Sequence, residues 1–134
     1  MTTRKLRVLV AEDEALIALA LRYELEARGH EVTMARDGQE ALEAAERLGS
    51  FDALVTDMQM PRLRGDELVR RLRAERPDLA ILVVSANVCP ETVTALQDLP
   101  GPLTMLTKPC SFSMLTKELE RLAASGLAEH RVAT

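Results

Sequence analysis

The sequence predicts a single α/β domain in which helices cover both faces of a parallel β-sheet. Short apolar runs alternate with segments whose apolar residues recur at helical spacing, and this alternation occurs five times. The length of 134 residues fits one domain, and 47% hydrophobic with 28% charged residues is typical of a globular chain. We therefore expect five strands and five helices joined by right-handed crossovers.

The first two βα units are marked by apolar spacing and by glycine. Residues 6–11 form a short apolar run that predicts a buried strand, and residues 14–28 carry apolar side chains at helical spacing. Gly29 is expected to end that helix in a left-handed cap. Residues 30–35 alternate between apolar and polar, which predicts a strand with one wetter face, and Asp37-Gly38 is interpreted as a turn.

The middle of the chain repeats the pattern. A second helix marked by Ala41, Leu42, Ala45 and Leu48 is expected to end at Gly49, and residues 52–56 predict the third strand. A third helix, marked by Leu63, Leu68, Val69 and Leu72, must stop before Pro77. Residues 79–84 are the most apolar run, so we expect them to form the central strand, covered on both faces.

The last part predicts a weak helix over about 91–98, a fifth strand over 103–106 and a final helix. Ser111 is expected to cap that helix, whose apolar face would carry Leu115, Leu119 and Leu122. From Gly126 we expect a frayed tail. The predicted domain therefore has a core of about 5–124 and a tail of 125–134, with no output domain.

Composition narrows the function. A net charge of −4 and an aromatic content of 2% argue against nucleic acid as a partner. No apolar stretch approaches the ~20 residues of a membrane span, and the polar start does not fit a signal peptide. Two cysteines, Cys89 and Cys110, are too few for a disulfide framework. We therefore expect a reduced, cytoplasmic protein that contacts neither nucleic acid nor membrane.

Polar side chains follow four of the five predicted strands. Glu12 and Asp13 follow the first, Asp57 the third, Ser85 the fourth and Lys108 the fifth. The carboxyl ends of parallel strands share one edge of a sheet, where ligands bind in open α/β folds. Two carboxylates 4 Å apart repel by about 4 kcal/mol at an effective dielectric near 20, and a hard cation such as Mg²⁺ relieves this repulsion.

This set of groups suits phosphoryl transfer. Asp57 is the predicted nucleophile, and Glu12 and Asp13 are the predicted metal ligands. Lys108 and Ser85 can stabilise the oxygens of a transferring phosphoryl group as a point charge and a hydroxyl donor. Each residue alone has an ordinary structural explanation, and the prediction depends on all four strand ends agreeing.

In combination these segments resemble the response-regulator receiver domain of bacterial two-component signalling, from about Lys5 to Ala123. The matching segments are 8–14, 37–38, 54–61, Gly65, 83–86 and 108–109. The resemblance implies a flavodoxin-like, doubly wound sheet in the order 2-1-3-4-5. It also implies transfer of a phosphoryl group onto Asp57 from a histidine kinase or a histidine phosphotransfer protein.

The resemblance further implies roles for the site residues. Mg²⁺ (or Mn²⁺) would be held by Glu12, usually through water, by Asp13 and Asp57, and by the backbone carbonyl of Gln59. The Ser85 hydroxyl and the Lys108 amine would contact the phosphoryl oxygens. The Lys108-Pro109 bond is typically cis in such domains, and signalling usually involves the fourth helix, fifth strand and fifth helix.

Four positions bear on switching and on the lifetime of the phosphoryl group: Gln59, Asn87, Met105 and Pro109, whose cis bond would aim Lys108 back over the site. Receiver domains usually carry Tyr or Phe where this chain has Met105, so the usual aromatic switch is absent or altered. Gln59 and Asn87, two residues after Asp57 and Ser85, face the path of an attacking water in family members. We expect them to tune the lifetime.

The main prediction is a stand-alone phosphoacceptor, monomeric or weakly dimeric, that signals to an unknown downstream protein and is not an enzyme beyond any self-catalysed phosphotransfer and dephosphorylation. One alternative is a degenerate receiver that binds partners without phosphorylation. A small aspartate-nucleophile phosphatase is less favoured because it needs a second aspartate where Gln59 stands. A flavodoxin-like cofactor carrier is disfavoured because Glu12, Asp13 and Glu14 would repel a phosphate.

Three further features of the sequence concern arginines, cysteines and a histidine. Six arginines make the third helix basic, which favours a solvated face over a docking surface for an acidic partner: Arg62, Arg64, Arg70, Arg71, Arg73 and Arg76. Cys89 and Cys110 could pair under oxidation, although two unpaired thiols are the simpler expectation. His30 has no partner visible in the sequence and is assigned no role.

Overall fold

The computed structural model describes residues 5–86 and 89–133. Strands and helices alternate, as the sequence predicts. The strands are β1 (Arg7–Ala11), β2 (Glu31–Ala35), β3 (Ala53–Asp57), β4 (Ala80–Ser85) and β5 (Leu103–Thr107). The helices are α1 (Ala15–Ala27), α2 (Gly38–Leu48), α3 (Gly65–Glu75), α4 (Pro90–Gln97) and α5 (Phe112–Ala133).

The five strands form one parallel sheet in the order β2-β1-β3-β4-β5. This order confirms the predicted fold class. The central strand is β3, so the prediction that residues 79–84 lie at the centre is wrong. All six residues of β4 are nevertheless buried, because helices cover both faces of the sheet there. The apolar content of this run therefore reports burial on two faces and not its rank in the sheet.

Alternate residues of each strand feed two separate cores. On one face, Leu9, Leu54 and Ile81 pack in a cluster with residues of α2, α3 and α4. On the other face, Val10 and Val55 pack in a cluster with residues of α1 and α5. The period of two along each strand thus places helices on both sides, which is the doubly wound arrangement.

Several helix ends are fixed by single residues. Ser111 caps α5 as predicted, because its Oγ accepts a hydrogen bond from the Met114 N–H at 3.0 Å. Gly29 has a φ of +92°, in the left-handed region expected of a glycine cap. Asp37 was interpreted as part of a turn, but it is the N-cap of α2, and its carboxylate accepts the Glu40 N–H at 2.8 Å.

The expected tail differs from the structure, because α5 continues through Ala133. The segment after Gly126 contains Leu, Ala, Glu and Arg, which favour helix, and no proline interrupts it. A helix that is already nucleated extends through such residues at little further cost. The third helix also differs slightly: α3 begins at Gly65, and Leu63 packs against the core from the preceding loop.

The arginines of the α3 region have several environments. Arg70 and Arg71 pair with Glu67 on the solvated face of α3, as expected. Arg73 is instead buried, and its guanidinium donates to backbone carbonyls that include those of Leu79 at 2.7 Å and Pro102 at 2.6 Å. The interpretation of a uniformly solvated basic face is therefore wrong for Arg73, which joins α3 to the amino-terminal end of the sheet.

His30 also has partners that the sequence does not reveal. Its side chain is buried, and Nδ1 accepts the Leu6 N–H at 3.1 Å while Nε2 lies 2.6 Å from Glu120 Oε2. Because Nδ1 is an acceptor, Nε2 carries the hydrogen that is donated to Glu120. Arg28 forms a bidentate pair with the same carboxylate. These bonds join β2 and the end of α1 to α5.

Within residues 5–86 and 89–133, no helix combines the length and the apolar composition of a transmembrane span.

Candidate functional site

Three carboxylates converge where β1 and β3 end. These strands are neighbours, with Ala11 opposite Thr56, so the residues that follow them emerge side by side. Oxygens of Glu12, Asp13 and Asp57 all lie within 4.8 Å of one another. The structure therefore brings together the three acidic residues that the sequence predicted to share one edge, in a group of oxygen donors suited to a hard divalent cation.

Glu12 is the most enclosed of the three carboxylates, with a relative exposure of 7%. Its Oε2 accepts the Glu14 N–H at 3.1 Å. Burial raises the pKa of Glu12, and the nearby charges of Asp57 and Asp13 raise it further, against the lowering effects of the Glu14 hydrogen bond and Lys108. A positive charge placed nearby would therefore stabilise the ionised form of Glu12.

Lys108 provides a positive charge beside these carboxylates. Its Nζ lies 2.8 Å from Asp57 Oδ2 and 3.9 Å from Glu12 Oε1. Partial burial acts to lower the pKa of Lys108, but the hydrogen bond and charge of Asp57, with the charge of Glu12, outweigh burial and raise it. The amine is therefore held charged beside the Asp57 carboxylate.

The backbone around Lys108 sets its position. The Lys108 N–H donates to the carbonyl of Ser85 at 3.0 Å, which joins the ends of β4 and β5. The Lys108-Pro109 peptide bond is cis, as the resemblance implied. Ser85 itself is buried at the end of β4, and the strand register places it opposite Thr107.

The loop after Asp57 is anchored at both ends. The Gln59 N–H donates to Asp57 Oδ1 at 3.1 Å. The Gly65 N–H donates to the Met58 carbonyl at 2.8 Å. A Cβ at Gly65 would lie 2.1 Å from the Asp57 carbonyl oxygen, so only glycine allows α3 to start this close to the site. The two oxygens of Asp57 therefore have different partners: Oδ2 accepts from Lys108 Nζ, and Oδ1 accepts from the backbone N–H of Gln59.

The predicted switch and lifetime positions are only partly described. Met105 lies on β5 opposite Val83 and packs against the core cluster on the α2, α3 and α4 face. Its thioether thus fills space on the inner side of β5 and offers no hydroxyl. Gln59 is exposed next to Asp57. Asn87 lies outside the residues that the structure describes.

A cavity of about 250 Å³ adjoins the site between α1 and α5. Its polar end is formed by Glu12, Asp57 and Lys108. Its apolar walls include Val10, Ile17, Leu21, Val55, Val84, Phe112 and Leu115. This apolar surround lowers the local dielectric on one side of the carboxylates, which strengthens every charge interaction at the site.

The cysteines at this edge are separate, free thiols. Cys89 is exposed, and its sulfur lies 3.0 Å from the Thr92 hydroxyl. Cys110 lines the cavity, and burial raises the pKa of its thiol despite the nearby Lys108 charge. The oxidation hypothesis for this pair remains a prediction.

A pair that the sequence did not predict lies close to the site. Arg62 donates to both oxygens of Asp37, with Nε to Oδ2 at 2.9 Å and Nη2 to Oδ1 at 3.1 Å. These residues are 25 positions apart, on the loops that follow β2 and β3. Neither apolar period nor motif spacing reports a contact between two surface loops, so no sequence signal could have indicated it.

Comparison with known proteins identifies the class of this fold and site. The family model of the response regulator receiver domain matches residues 8–120. The chain therefore belongs to the response regulator receiver domain family. Receiver domains bind Mg²⁺ through acidic residues and interact with histidine kinases or phosphotransfer proteins. Membership supports a phosphoacceptor role in two-component signalling.

Two curated relatives illustrate the similarity. The chain is 42% identical over 103 residues to a response regulator receiver protein of Anaeromyxobacter sp. (strain Fw109-5), an alignment that covers 77% of this chain and 42% of that protein. It is 38% identical over 118 residues to the response regulator MprA of Mycobacterium leprae, covering 87% of this chain and 50% of the relative. The chain thus spans about half the length of the curated relatives that it matches.

Solved structures agree with this assignment. The receiver domain of the Francisella response regulator 1452 superposes with a TM-score of 0.75 at 29% identity, covering 90% of this chain and 98% of that one. The Vibrio cholerae chemotaxis protein CheY4 has a TM-score of 0.78 at 29% identity, covering 89% and 99%. A CheY-like receiver domain from Methanospirillum hungatei, at 21% identity, shares the fold with a TM-score of 0.85 over 94% and 99% of the two chains.

Proposed function

We propose that this protein accepts a phosphoryl group on Asp57 in a Mg²⁺-dependent reaction and signals through protein contacts. The observation that carries the proposal is the placement of Lys108 Nζ 2.8 Å from Asp57 Oδ2, within a cluster of three carboxylates. One lysine balances part of the negative charge of that cluster, and a divalent cation would balance the rest. A degenerate receiver that binds partners without phosphorylation would need neither the lysine nor the carboxylate cluster.

Transfer from the donor to Asp57 replaces a P–N bond with a P–O bond. An oxygen of Asp57 attacks the phosphorus of a phosphohistidine whose other ring nitrogen carries a proton, a P–O bond forms, and the P–N bond of the donor breaks with its electron pair returning to the ring, which leaves as neutral imidazole. The products are an acyl phosphate on Asp57 and a neutral histidine on the donor. The donor is a histidine kinase or a histidine phosphotransfer protein, the partners of receiver domains in general.

Two side chains of this chain would stabilise the charge of the transferring group. The Lys108 amine would shift its hydrogen bond from Asp57 to the phosphoryl oxygens as negative charge develops on them. The hydroxyl of Ser85, which is buried at the end of β4, would donate a hydrogen bond to the same oxygens. Glu12, Asp13, Asp57 and the carbonyl of Gln59 are the groups that would hold Mg²⁺. The cation supplies neutralisation of the oxygens of the transferring group.

Turnover as a phosphatase is not part of the proposal. Asp57 has Gln59 two residues later, and a carboxamide cannot donate and recover a proton as a general acid does. The acyl phosphate is therefore expected to persist until water reaches it, with Gln59 and Asn87 as the positions that tune its lifetime.

An apolar ridge on α1 supports a docking site for the donor. Leu16, Leu19 and Tyr23 are 83%, 64% and 76% exposed, although they are large hydrophobic side chains. They recur at helical spacing on one side of α1, which begins directly after the carboxylate cluster. An exposed apolar surface on the helix that follows the carboxylate cluster is suited to a helical partner that carries the phosphohistidine.

The first experiment tests the acceptor. The protein is incubated with radiolabelled acetyl phosphate and Mg²⁺, alongside Asp57→Asn and the control Asp98→Asn, an exposed aspartate at the end of α4. We expect labelling of the wild type and of Asp98→Asn, none of Asp57→Asn, and none of any protein in excess EDTA. Label that persists in Asp57→Asn would refute the assignment.

The second experiment tests the donor surface. Leu16→Ser removes apolar area from the ridge without touching the carboxylates, and Met114→Ser is the control because Met114 is also exposed, on α5. We expect Leu16→Ser to slow transfer from a phosphorylated cognate histidine kinase by roughly tenfold, the effect of losing about 1.4 kcal/mol of docking energy. Labelling by acetyl phosphate should remain unchanged. Equal slowing with both donors would contradict a docking role.

A further inference from the structure

We propose that Arg62 is a positioning residue for the phosphoryl site: its ion pair with Asp37 holds the loop between β3 and α3 in the conformation that presents Gln59 to Asp57. This inference rests on the proposed function of Asp57. Among the described residues Arg62 pairs with Asp37 and not with a carboxylate of the cluster, so it would act through the backbone of the loop that it closes.

The pair is bidentate and has a fixed partner. Arg62 Nε and Nη2 lie 2.9 and 3.1 Å from the two oxygens of Asp37. The Arg62 hydrogen bond is the largest cause of a lowered pKa at Asp37, so the carboxylate stays ionised. Asp37 is itself immobilised because it is 9% exposed and caps α2 through the Glu40 N–H. Arg62 is thus tied to a rigid helix end.

The backbone at Arg62 needs a tether. Its φ is +68°, and it is the one non-glycine residue of the described chain with a positive φ. Residues with a Cβ disfavour this left-handed region, so an arginine stays there only if its surroundings hold it. Two interactions hold it there: the Leu63 N–H donates to the Pro61 carbonyl at 2.8 Å, which closes a three-residue turn around Arg62, and the Arg62 side chain pairs with Asp37.

The tethered loop is the one that reaches the site. Arg62 lies three residues after Gln59, whose N–H donates to Asp57 Oδ1 at 3.1 Å. Just beyond it, the Gly65 N–H closes the loop onto the Met58 carbonyl. Met60 is buried beneath the loop, and Leu63 packs against the core. The Arg62–Asp37 pair is therefore the side-chain restraint, beside the backbone hydrogen bond from Leu63 to Pro61, on the outer turn of a loop whose other end faces Asp57.

Loss of the Arg62–Asp37 pair would make the backbone at Gln59 more mobile, while the rest of the domain would stay folded. The Gln59 carbonyl is a proposed ligand of Mg²⁺, and its side chain stands beside the acceptor. Groups that orient metal ligands without touching the metal typically contribute 10- to 100-fold in affinity or activity. We expect the lower end of that range here, because the pair is partly exposed to solvent.

Two variants break the pair from opposite sides. Arg62→Gly keeps a residue that accepts a positive φ, and Asp37→Asn keeps a side chain that can cap α2. Arg64→Ala is the matched control: Arg64 is an exposed arginine two residues away that pairs with Asp66, at the start of α3. Far-ultraviolet circular dichroism and melting temperature report whether each variant is folded.

The measurements are the Mg²⁺ dissociation constant by titration calorimetry, hydrogen exchange of the Gln59 amide without metal, and the rate of labelling by acetyl phosphate. We expect both variants to weaken Mg²⁺ binding about tenfold and to speed exchange of the Gln59 amide, with Arg64→Ala unchanged and the double variant no worse than either single variant. Unchanged affinity and exchange in folded variants would overturn the role of Arg62 and leave Asp57 as the acceptor. Failure of the wild type to be labelled would overturn the proposed function as well.

Discussion

The amino-terminal and carboxyl-terminal edges of the sheet differ in how completely their charged groups are paired. At the amino-terminal edge, His30 has both ring nitrogens bonded, Glu120 is held by Arg28 and His30, and Arg73 donates to several carbonyls. At the carboxyl-terminal edge, the ion pairs described for Glu12 and Asp57 both involve the same cation, Lys108. At the first edge His30 and Glu120 are bonded within the protein, and at the second the three clustered carboxylates outnumber the one lysine that pairs with them.

This difference separates stability from function. Buried polar groups that are fully bonded help to fix one arrangement of α1, β2 and α5. Carboxylates that share one lysine raise the free energy of the folded state, which a bound cation would lower. We call the amino-terminal edge with His30 and Glu120 the bonded edge, because it contributes to folding. We call the carboxyl-terminal edge with Glu12 and Asp57 the strained edge, because its carboxylates repel one another and favour binding of a cation, as expected when function is built at the carboxyl ends of strands.

The largest expected effect tests the bonded edge. His30→Ala removes two buried hydrogen bonds and leaves a void beneath α5, so we expect a loss of about 2–4 kcal/mol in the free energy of unfolding. Urea denaturation measures this loss. The Mg²⁺ dissociation constant of the folded variant should match that of the wild type. A His30→Ala protein as stable as the wild type would show that these bonds contribute little.

A smaller effect tests the strained edge. Mg²⁺ at ten times its dissociation constant should raise the free energy of unfolding by about 1.4 kcal/mol, by mass action. Asp13→Asn removes an exposed member of the cluster, so the metal-free variant should be slightly more stable than the wild type and should gain less from Mg²⁺. Thermal melts with and without Mg²⁺ measure both quantities. An identical Mg²⁺ response in the variant would remove Asp13 from the set of ligands.

The smallest effect is a pH dependence at the bonded edge. The Arg28 hydrogen bond and the His30 hydrogen bond lower the pKa of Glu120 against the effect of burial. A carboxyl with a lowered folded-state pKa contributes stability above its unfolded value, and this contribution is lost as the pH falls through the folded pKa. Glu120→Gln should therefore flatten the loss of stability between about pH 6 and about pH 3, by roughly 1 kcal/mol or less. Acid denaturation of both proteins measures this difference, and an equal loss of stability with falling pH in the two would contradict the role of Glu120.

The sequence was sufficient for features that repeat with a local period. Strand and helix order follows from apolar spacing, and the shared edge of Glu12, Asp57 and Lys108 follows from their positions after strands. Ser111 was recognisable as a cap because capping acts over three residues. All of these signals lie within one βα unit or repeat from unit to unit.

Features that depend on distant pairing were not predictable in the same way. His30 and Glu120 are 90 residues apart, and Arg73 meets the Pro102 carbonyl 29 residues away. The rank of β4 in the sheet also depends on which crossovers reverse direction, which apolar content does not report. Asp37 was assigned to a turn because Asp-Gly favours turns and helix starts alike, and the helix that follows decides between them.

The central claim is that the strained edge accepts a phosphoryl group at one carboxylate, and trapping the product tests it most directly. The protein is treated with acetyl phosphate with and without Mg²⁺, reduced with borohydride to convert any acyl phosphate into the corresponding alcohol, digested and mapped by mass spectrometry. The account predicts homoserine at position 57, dependent on Mg²⁺, and intact carboxylates at positions 12 and 13. Reduction at either of those positions, or equal modification of Asp57 without a divalent cation, would contradict it.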